Sequence, residues 1–304
     1  MKSLIDRLGA AVLLALARVR LALTDRWARS LAGGAAWGMR VLIPSRRRIA
    51  DKNMRRAFPG MTAPDRDGLA IRAYRYTALN FSDLLTMFRD GGRESLLQRT
   101  RVEGFEHLTG ALKAGKGVIA ISAHYGAFPL MGSAIASRGV RYHYLYRRPK
   151  SPATDGFFQD WLSHAGYVNI SDAPRHSAAA RCLKALGEGA CVCILADQHF
   201  PAGVEVPFFG HPALTGIGPA LLSVRSGAPL VPMCIRRMPD DSHLVKIEQP
   251  IAPPADRSRE AMTAALAECA RRIEGWIRED PCQWFWVHRR WKQLDRAEES
   301  EKRN

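Results

Sequence analysis

The chain has 304 residues, of which 47% are apolar and 24% charged, a balance that excludes a disordered protein. Forty-five Lys and Arg residues against 29 Asp and Glu residues give a formal net charge of +16. This charge favours a polyanionic partner: nucleic acid, an anionic bilayer, an acidic carrier protein or a phosphorylated substrate. The six cysteines form no CxxC pair and mostly lie in apolar runs, which indicates small buried side chains in a reducing compartment rather than zinc ligands or disulfides.

The amino terminus predicts a membrane-associated helix over residues 1–30. Its apolar run from Leu8 to Ala17 is too short for an uninterrupted spanning helix, which needs about 20 residues. A signal peptide is conceivable, but Arg18 and Arg20 follow at once and no disulfide pattern lies downstream. The sequence therefore favours a retained helix whose arginines reach lipid phosphates, and leaves open whether it spans the bilayer or lies flat.

Residues 31–100 are predicted to be helical. Apolar side chains recur there at three- and four-residue spacing over 46–58 and again over 65–89. Pro59 and Gly60 separate the two predicted helices.

From residue 115 onward, short apolar runs alternate with helical patterns. This alternation predicts an α/β fold: a mixed, largely parallel sheet covered by helices, preceded by the N-terminal helical membrane-associated segment. Strands are predicted at 117–122, 142–146, 191–196 and 229–235, and helices at 154–165, 177–186 and 218–226.

The end of the chain predicts an edge strand at 243–249 and a long amphipathic helix at 257–279. Together with the N-terminal helix, these elements divide the chain into three parts. An α/β domain covers 31–295, with its helical part at 31–100, and a charged, frayed tail covers 296–304.

Polar residues follow two of the predicted core strands. Residues 122–126 (Ser-Ala-His-Tyr-Gly) end the first strand, and residues 197–199 (Asp-Gln-His) follow the strand at 191–196. Because chemistry in open α/β sheets gathers at the carboxyl ends of strands, both clusters are candidate parts of a functional site.

Several blocks of the sequence, in order, resemble the lipid A biosynthesis (lauroyl/myristoyl) acyltransferases, within the lysophospholipid acyltransferase superfamily. ISAHYGAF (121–128) resembles their histidine block, and residues 196–237, with VPFFG, resemble their second block. EDPCQWFWVHRRWK (279–292) is similar to their Trp-rich terminal block, which favours the lipid A branch over the glycerolipid branch. RRRIADKNMRRAFP (46–59) and YRRPKSP (146–152) also fit.

The resemblance implies that His124 is a general base, which takes a proton from a hydroxyl as that oxygen attacks an acyl thioester. In the family, a carboxylate five residues later orients the ring, but here that position is Pro129. Three alternatives remain: Asp197 orients His124, His124 works without a carboxylate, or the protein binds lipid without transferring acyl groups. Pro129 itself suits the first turn of a helix leading to Ala136.

The resemblance also supplies candidate substrate-binding residues. Arginines are candidate anion clamps, since their planar guanidinium suits phosphate, and the VPFFG segment is a candidate acyl groove. The candidates are Tyr125, Gly126, Arg147, Arg148, Gln198, Phe208, Phe209, Gly210 and Arg236.

The predicted activity is O-acyl transfer from an acyl carrier protein or coenzyme A thioester to a hydroxyl of a lipid A precursor or related lipid. The alternative is an impaired homologue that binds or delivers lipid, which Pro129 would explain. The resemblance implies an anionic lipid acceptor, no cofactor or metal, and a place at the cytoplasmic face of a bacterial inner membrane. Nucleic-acid binding is disfavoured, because the charge comes with no recognisable reading motif.

Overall fold

The computed structural model describes residues 22–149 and 151–301, together with residue 15 and residues 18–20. In this part of the chain, helices α1 (Asp25–Leu42), α2 (Pro44–Ala57), α3 (Ala63–Thr86) and α4 (Gly92–Gln98) come first. They are followed by β1 (Thr100–Glu103), α5 (Phe105–Leu112), β2 (Val118–Ser122), α6 (Phe128–Ala136), β3 (Tyr142–Tyr146), α7 (Pro152–Ser163), β4 (Val168–Ser171), α8 (Arg175–Gly187) and β5 (Cys191–Leu195). The remaining elements are β6 (Val204–Phe208), β7 (His211–Thr215), α9 (Gly218–Ser226), β8 (Leu230–Arg237), β9 (His243–Ile247), α10 (Arg259–Glu279), a 3₁₀ turn (Pro281–Gln283) and α11 (Lys292–Glu301).

Seven strands form one mixed sheet in the order β1-β9-β8-β2-β5-β3-β4, and β6 and β7 form a separate antiparallel hairpin. Within the large sheet, only the β8–β9 pairing is antiparallel. The predicted fold class, a mixed and largely parallel sheet covered by helices, is confirmed. The predicted edge position of residues 243–249 is wrong, because the short strand β1 pairs with β9 and covers it.

Strand β2 lies at the centre of the sheet, and every one of its residues is buried. Its alternate side chains enter different clusters: Ile119 and Ile121 pack with one core, and Val118 and Ala120 with the other. A strand that is covered on both faces needs an unbroken apolar run, which is what the sequence provides here. The covered strand therefore holds its carboxyl end in a fixed position.

Helices α1, α2 and α3 lie next to one another at the start of the fold. The boundary predicted at residue 30 falls inside α1, and most of the predicted helix over 1–30 lies outside the described residues. Within the described part of the chain, no helix combines the length and apolar character needed to cross a membrane.

The far end of the chain is more ordered than its charge suggests. Residues predicted to fray from 296 continue α11 to Glu301. The helix is held to α2 because Arg56 and Lys52 both pair with Asp295 and Glu298. Residues 296–301 of the predicted frayed tail are therefore helical instead, and Glu298 within them pairs with cations on α2.

Candidate active site

His124 and Asp197 meet at the carboxyl ends of two neighbouring parallel strands. Strands β2 and β5 pair in a register that sets Ser122 beside Leu195, and both functional residues lie two positions beyond that pair. His124 Nδ1 is 2.9 Å from Asp197 Oδ1, and the His124 backbone N–H donates to Oδ2 at 3.0 Å. The register of the sheet thus brings together two residues that are 73 positions apart in sequence.

Asp197 is a buried carboxylate with three hydrogen-bond donors. Besides the two groups of His124, the indole Nε1–H of Trp284 donates to its Oδ2 at 2.8 Å. Burial by itself raises the pKa of Asp197, but the charge and hydrogen bonds of His124 and the bond from Trp284 outweigh it and hold the pKa at about 2. Asp197 is therefore ionised at neutral pH and accepts the Nδ1 proton of His124.

The His124 ring is a quarter exposed and has aromatic neighbours. Phe128 packs edge-on at 5.1 Å between ring centroids, and Phe285 lies at 6.4 Å. The backbone N–H of Phe285 donates to the His124 carbonyl at 3.0 Å, which fastens the segment after the 3₁₀ turn to the strand end. The ring is thereby held from both sides, and its Nε2 faces Gln198 Nε2 at 3.1 Å.

Pro129 occupies the first turn of α6, as the sequence predicted, and the helix ends at Ala136. A proline at this position leaves no hydrogen bond unmade, because the first backbone N–H groups of a helix have no partner inside it. Its ring contributes to the wall of a cavity beside His124. The chain therefore has an apolar surface where the resemblance led us to expect a carboxylate.

The cavity beside His124, which we call the His124 cavity, has a volume of about 320 Å³. Its walls come from α3, the segment that begins α6, α7 and the residues after the 3₁₀ turn. Apolar and aromatic side chains predominate, with His124 among a few polar groups; they include Phe81, Leu84, Phe128, Phe157, Trp161 and Phe285. A cavity of this size and lining suits an apolar ligand, and the imidazole lies in its wall.

A second cavity of about 370 Å³ lies between α1, α2, α3 and the segment after the 3₁₀ turn. Thr77 and Phe285 line both cavities. Arg46 lines the second cavity and donates to the carbonyl oxygen of Val287 at 3.2 Å. Phe285 therefore lies between His124 and this second apolar space.

Arg290 supports the turn that carries Asp197 and Gln198. Its guanidinium is almost wholly buried and donates to the carbonyl oxygens of Gln198 (3.1 Å) and Leu214 (2.8 Å) and to Thr215 Oγ1 (2.6 Å). Burial lowers the pKa of Arg290 to about 10, and Asp197 opposes that effect, so the group remains a cation at neutral pH. Sequence analysis missed the roles of Arg290 and Trp284, although both belong to the terminal block.

The two predicted substrate-binding residues next to His124 differ in their access to the His124 cavity. Tyr125 is 2% exposed, and its hydroxyl donates to the Trp276 carbonyl oxygen at 3.1 Å, so it is withdrawn from the cavity. Gly126 lines the cavity but has a φ of +58°, and a Cβ there would lie 1.9 Å from the Ile235 carbonyl oxygen. Glycine is required at this position by backbone conformation and close packing against β8.

The VPFFG segment does not form the groove that the sequence suggested. Phe208 and Phe209 are 1% and 5% exposed and pack with Trp291 in the core. Gly210, with a φ of +74°, completes the two-residue turn between β6 and β7. Aromatic side chains at a hairpin end are buried here by the terminal Trp block, a tertiary contact that the local sequence does not reveal.

The three predicted anion-binding arginines differ in their surroundings. Arg148 Nε is 2.7 Å from Asp155, and Arg236 is 2.6 Å from Glu279, so both are already paired. Arg147 is exposed, and no carboxylate within the described residues pairs with it. It directly follows β3, which lies two strands from β2, or about 10 Å at ordinary strand spacing.

The fold and this site together define a class of protein. A histidine oriented by a buried carboxylate, at a strand end and beside an apolar cavity, can move a proton during acyl chemistry on an apolar chain. The sequence profile described as bacterial lipid A biosynthesis acyltransferase matches residues 2–293, and the chain belongs to that family.

Individual relatives agree with this family. The chain is 27% identical over 259 residues to the lipid A biosynthesis lauroyltransferase of Escherichia coli (strain K12), covering 81% of this chain and 79% of that protein. It is 31% identical over 134 residues to a phosphatidylinositol mannoside acyltransferase of Mycobacterium tuberculosis (strain CDC 1551 / Oshkosh), covering 43% of this chain and 42% of that protein, less than half of its length. The crystal structure of the 1-acyl-sn-glycerophosphate (LPA) acyltransferase PlsC from Thermotoga maritima covers 84% of this chain and 98% of its own, with 14% identity and a TM-score of 0.39, a likeness too distant to bear on the site.

Proposed function

We propose that this protein transfers a fatty acyl group from an acyl thioester to a hydroxyl of a lipid A precursor or a related phosphorylated glycolipid at a membrane surface. The observation that carries the proposal is the His124–Asp197 pair, with 2.9 Å between Nδ1 and Oδ1, beside an apolar cavity. The family supports acyl transfer to lipid in general.

The chemistry follows from the protonation states of this pair. Asp197 accepts the Nδ1 proton, so the Nε2 lone pair of His124 is the base. As the acceptor oxygen attacks the thioester carbonyl carbon, its proton passes to Nε2. The C–S bond then breaks, and the imidazolium gives that proton to the departing thiolate, which leaves an ester and a free thiol.

The His124 cavity is proposed to hold the acyl chain of the donor. Its wall is almost wholly apolar, and Pro129 contributes to it where a carboxylate would have to be desolvated. The thioester carbonyl would then lie at the mouth, next to the imidazole. This arrangement would bring the electrophile and the base together.

The names of the relatives support the proposed acceptor, and the positive charge of the protein supports the proposed donor. The relatives are named for lipid A and for phosphatidylinositol mannoside, which favours a glycolipid acceptor. Arg147, which is exposed and directly follows β3, is proposed to meet its phosphate. A net charge of +16 suits an acidic acyl carrier protein as donor, with coenzyme A thioesters as the alternative.

The proposed location is the cytoplasmic face of a bacterial inner membrane, and the exposed side of α1 supports it. Trp27, Trp37 and Leu42 are 64%, 67% and 79% exposed, and Leu31 and Val41 are also exposed. At 3.6 residues per turn these five side chains share one side of the helix. An apolar helix face rich in Trp is typical of a helix that lies in the interface of a bilayer.

The alternative of a lipid-binding homologue without activity rested on Pro129. Position 129 lacks the expected carboxylate, but Asp197, just after the neighbouring strand β5, contacts His124 Nδ1 in its place. Pro129 is therefore no argument for an inactive protein. An assay of acyl transfer distinguishes the transferase from a protein that only binds lipid.

The test is a transfer assay with purified protein in detergent, a phosphorylated lipid A precursor, and radiolabelled acyl carrier protein or coenzyme A thioesters. We expect transfer by the wild type and its loss in His124→Ala, whereas His107→Ala, which changes a histidine on α5, keeps it. Absence of transfer with every donor, while the precursor still binds and an active family member works in parallel, would refute the proposal in favour of the lipid-binding alternative.

A further inference from the structure

Gln198 contacts the nitrogen of His124 that would act as the base. Gln198 Nε2 lies 3.1 Å from His124 Nε2, on the opposite side of the ring from Asp197. The Gln198 backbone is fixed by the buried Arg290, which donates to its carbonyl oxygen at 3.1 Å. The backbone of Gln198 is therefore held in place, while its side chain can reach His124 or turn away by rotation about its three dihedral angles.

The direction of this hydrogen bond follows from the groups involved. The carboxylate of Asp197 can only accept, so Nδ1 of His124 carries the proton in this pair. In the neutral ring, Nε2 then presents a lone pair. An amide nitrogen can only donate, so Gln198 donates to that lone pair.

We propose that Gln198 is a positioning residue that occupies the lone pair of His124 Nε2 until the acceptor hydroxyl displaces it. The proposal rests on the proposed acyl transfer and adds to it a control over water. A free imidazole beside a bound thioester activates water. The water oxygen bonds to the carbonyl carbon while one water proton passes to Nε2, the C–S bond breaks, and the imidazolium gives that proton to the departing thiolate. That reaction releases a fatty acid, and Gln198 suppresses it while the acceptor is absent.

The surroundings of the contact favour an exchange between Gln198 and a hydroxyl. One neutral hydrogen bond has a modest net free energy, so a hydroxyl held by the rest of its lipid can replace the amide. Phe128 and Phe285 flank the imidazole, and a quarter of the His124 side chain remains exposed, so both water and a hydroxyl can approach it. A lipid hydroxyl delivered with its own binding energy competes better than a single water molecule.

The first experiment measures acceptor-independent hydrolysis of the acyl thioester beside transfer to the lipid acceptor. Gln198→Leu keeps the bulk of the side chain and removes the donor. We expect the ratio of hydrolysis to transfer to rise about fivefold, the effect of one neutral hydrogen bond. An unchanged ratio in a variant that still transfers acyl groups overturns the proposal.

The second experiment uses Gln198→Glu, which has nearly the same shape but can only accept. A carboxylate at Nε2 favours the protonated imidazole, so the acid limb of the pH–rate profile should move upward by about one pH unit. Gln249→Glu is the matched control, because Gln249 Nε2 faces His107 Nε2 at 3.4 Å on the surface, away from the site. A shift in both variants, or in neither, contradicts a specific role of Gln198.

A third measurement is independent of activity. The ¹⁵N chemical shifts of the imidazole distinguish the Nδ1–H tautomer from the Nε2–H tautomer. We expect Nδ1–H for His124 in the wild-type protein and a larger imidazolium fraction in Gln198→Glu at the same pH. An Nε2–H tautomer in the wild type overturns the proposal, whereas the expected spectra from a protein that transfers no acyl group would refute only the proposed function.

Discussion

Asp197 holds His124 at two points, since one carboxylate oxygen accepts from the ring nitrogen at 2.9 Å and the other from the backbone N–H at 3.0 Å. The first contact fixes the tautomer, and the second fixes the distance between the carboxylate and the strand end. The ring therefore cannot turn without losing the bond to Asp197, and the base is oriented before any substrate binds.

Replacing Asp197 by Asn should abolish most of the transfer while the protein stays folded. The amide can present a donor to Nδ1 and so stabilise the wrong tautomer; in the serine-protease triad the equivalent change costs about 10⁴-fold in turnover. We expect a fall in kcat of about 10²- to 10⁴-fold in the transfer assay. Asp160→Asn, at an exposed residue of α7, should have no effect, and a fully active Asp197→Asn would exclude Asp197 as the orienting group.

Trp284 should affect the same step through its indole N–H. Trp284→Phe removes the donor to Asp197 Oδ2 and keeps most of the ring that packs on Trp286 and Phe208. A buried carboxylate that loses one of three donors is less well stabilised, so we expect kcat to fall about tenfold. Trp286→Phe, whose indole donates to the Pro281 carbonyl oxygen instead, is the control. Equal losses in the two variants would point to packing rather than to the carboxylate.

Pro129→Asp restores the carboxylate that the family resemblance led us to expect, yet it should not increase turnover. Nδ1 of His124 already has its partner, and the new charge would lie in the wall of the apolar cavity. We expect KM for long-chain donors to rise, whereas Pro129→Ala leaves it nearly unchanged. Steady-state kinetics with donors of different chain length provide the measurement, and a gain in kcat would show that Asp197 is an incomplete substitute.

The sequence predicted the part of the fold that carries the site because β2 and β5 are unbroken apolar runs and β3 matches its predicted range. Strands β1 and β4 were not predicted, since TRVE and VNIS are short and partly exposed. Such strands form because a neighbour pairs with them, and local pattern does not contain that information.

The site was predictable only in part, because contacts between distant segments are not contained in the local sequence pattern. His124 came from its block, but Asp197 remained one of three alternatives, because their contact depends on the pairing of β2 with β5. The donor Trp284 is 87 residues from Asp197 in sequence, and nothing in the spacing relates them. The sequence suggested a groove at Phe208 and Phe209 because the local sequence of an aromatic residue does not show whether it lines a groove or packs in the core.

The apolar side of α1 should control binding to lipid vesicles. Trp27→Ser with Trp37→Ser removes two large exposed aromatic side chains, so we expect partitioning to vesicles of phosphatidylethanolamine and phosphatidylglycerol to fall at least about tenfold. Val168→Ser changes an apolar residue on β4 that is 54% exposed and lies outside α1, and it should have little effect. Sedimentation with vesicles measures both, and unchanged binding of the double variant would remove α1 from the proposed membrane surface.

His288 should make the stability of the protein depend on pH in a specific range. Burial lowers its pKa to about 4, with Asp197 opposing the shift, so the folded protein keeps it neutral. The unfolded chain protonates this residue near its ordinary pKa of about 6.5. Between these two values the unfolded state binds more protons, and the free energy of unfolding therefore decreases as the pH falls from about 6.5 to about 4.

Urea unfolding at a series of pH values tests this prediction with His288→Gln. Glutamine can still accept the hydrogen bond that His288 Nε2 receives from the His199 backbone N–H at 3.2 Å, but it does not titrate. We expect the variant to lose less stability than the wild type over that pH range, and His107→Gln to behave as the wild type does. If the wild type and His288→Gln lose stability in parallel, the acid sensitivity arises elsewhere and His288 is not a buried neutral imidazole.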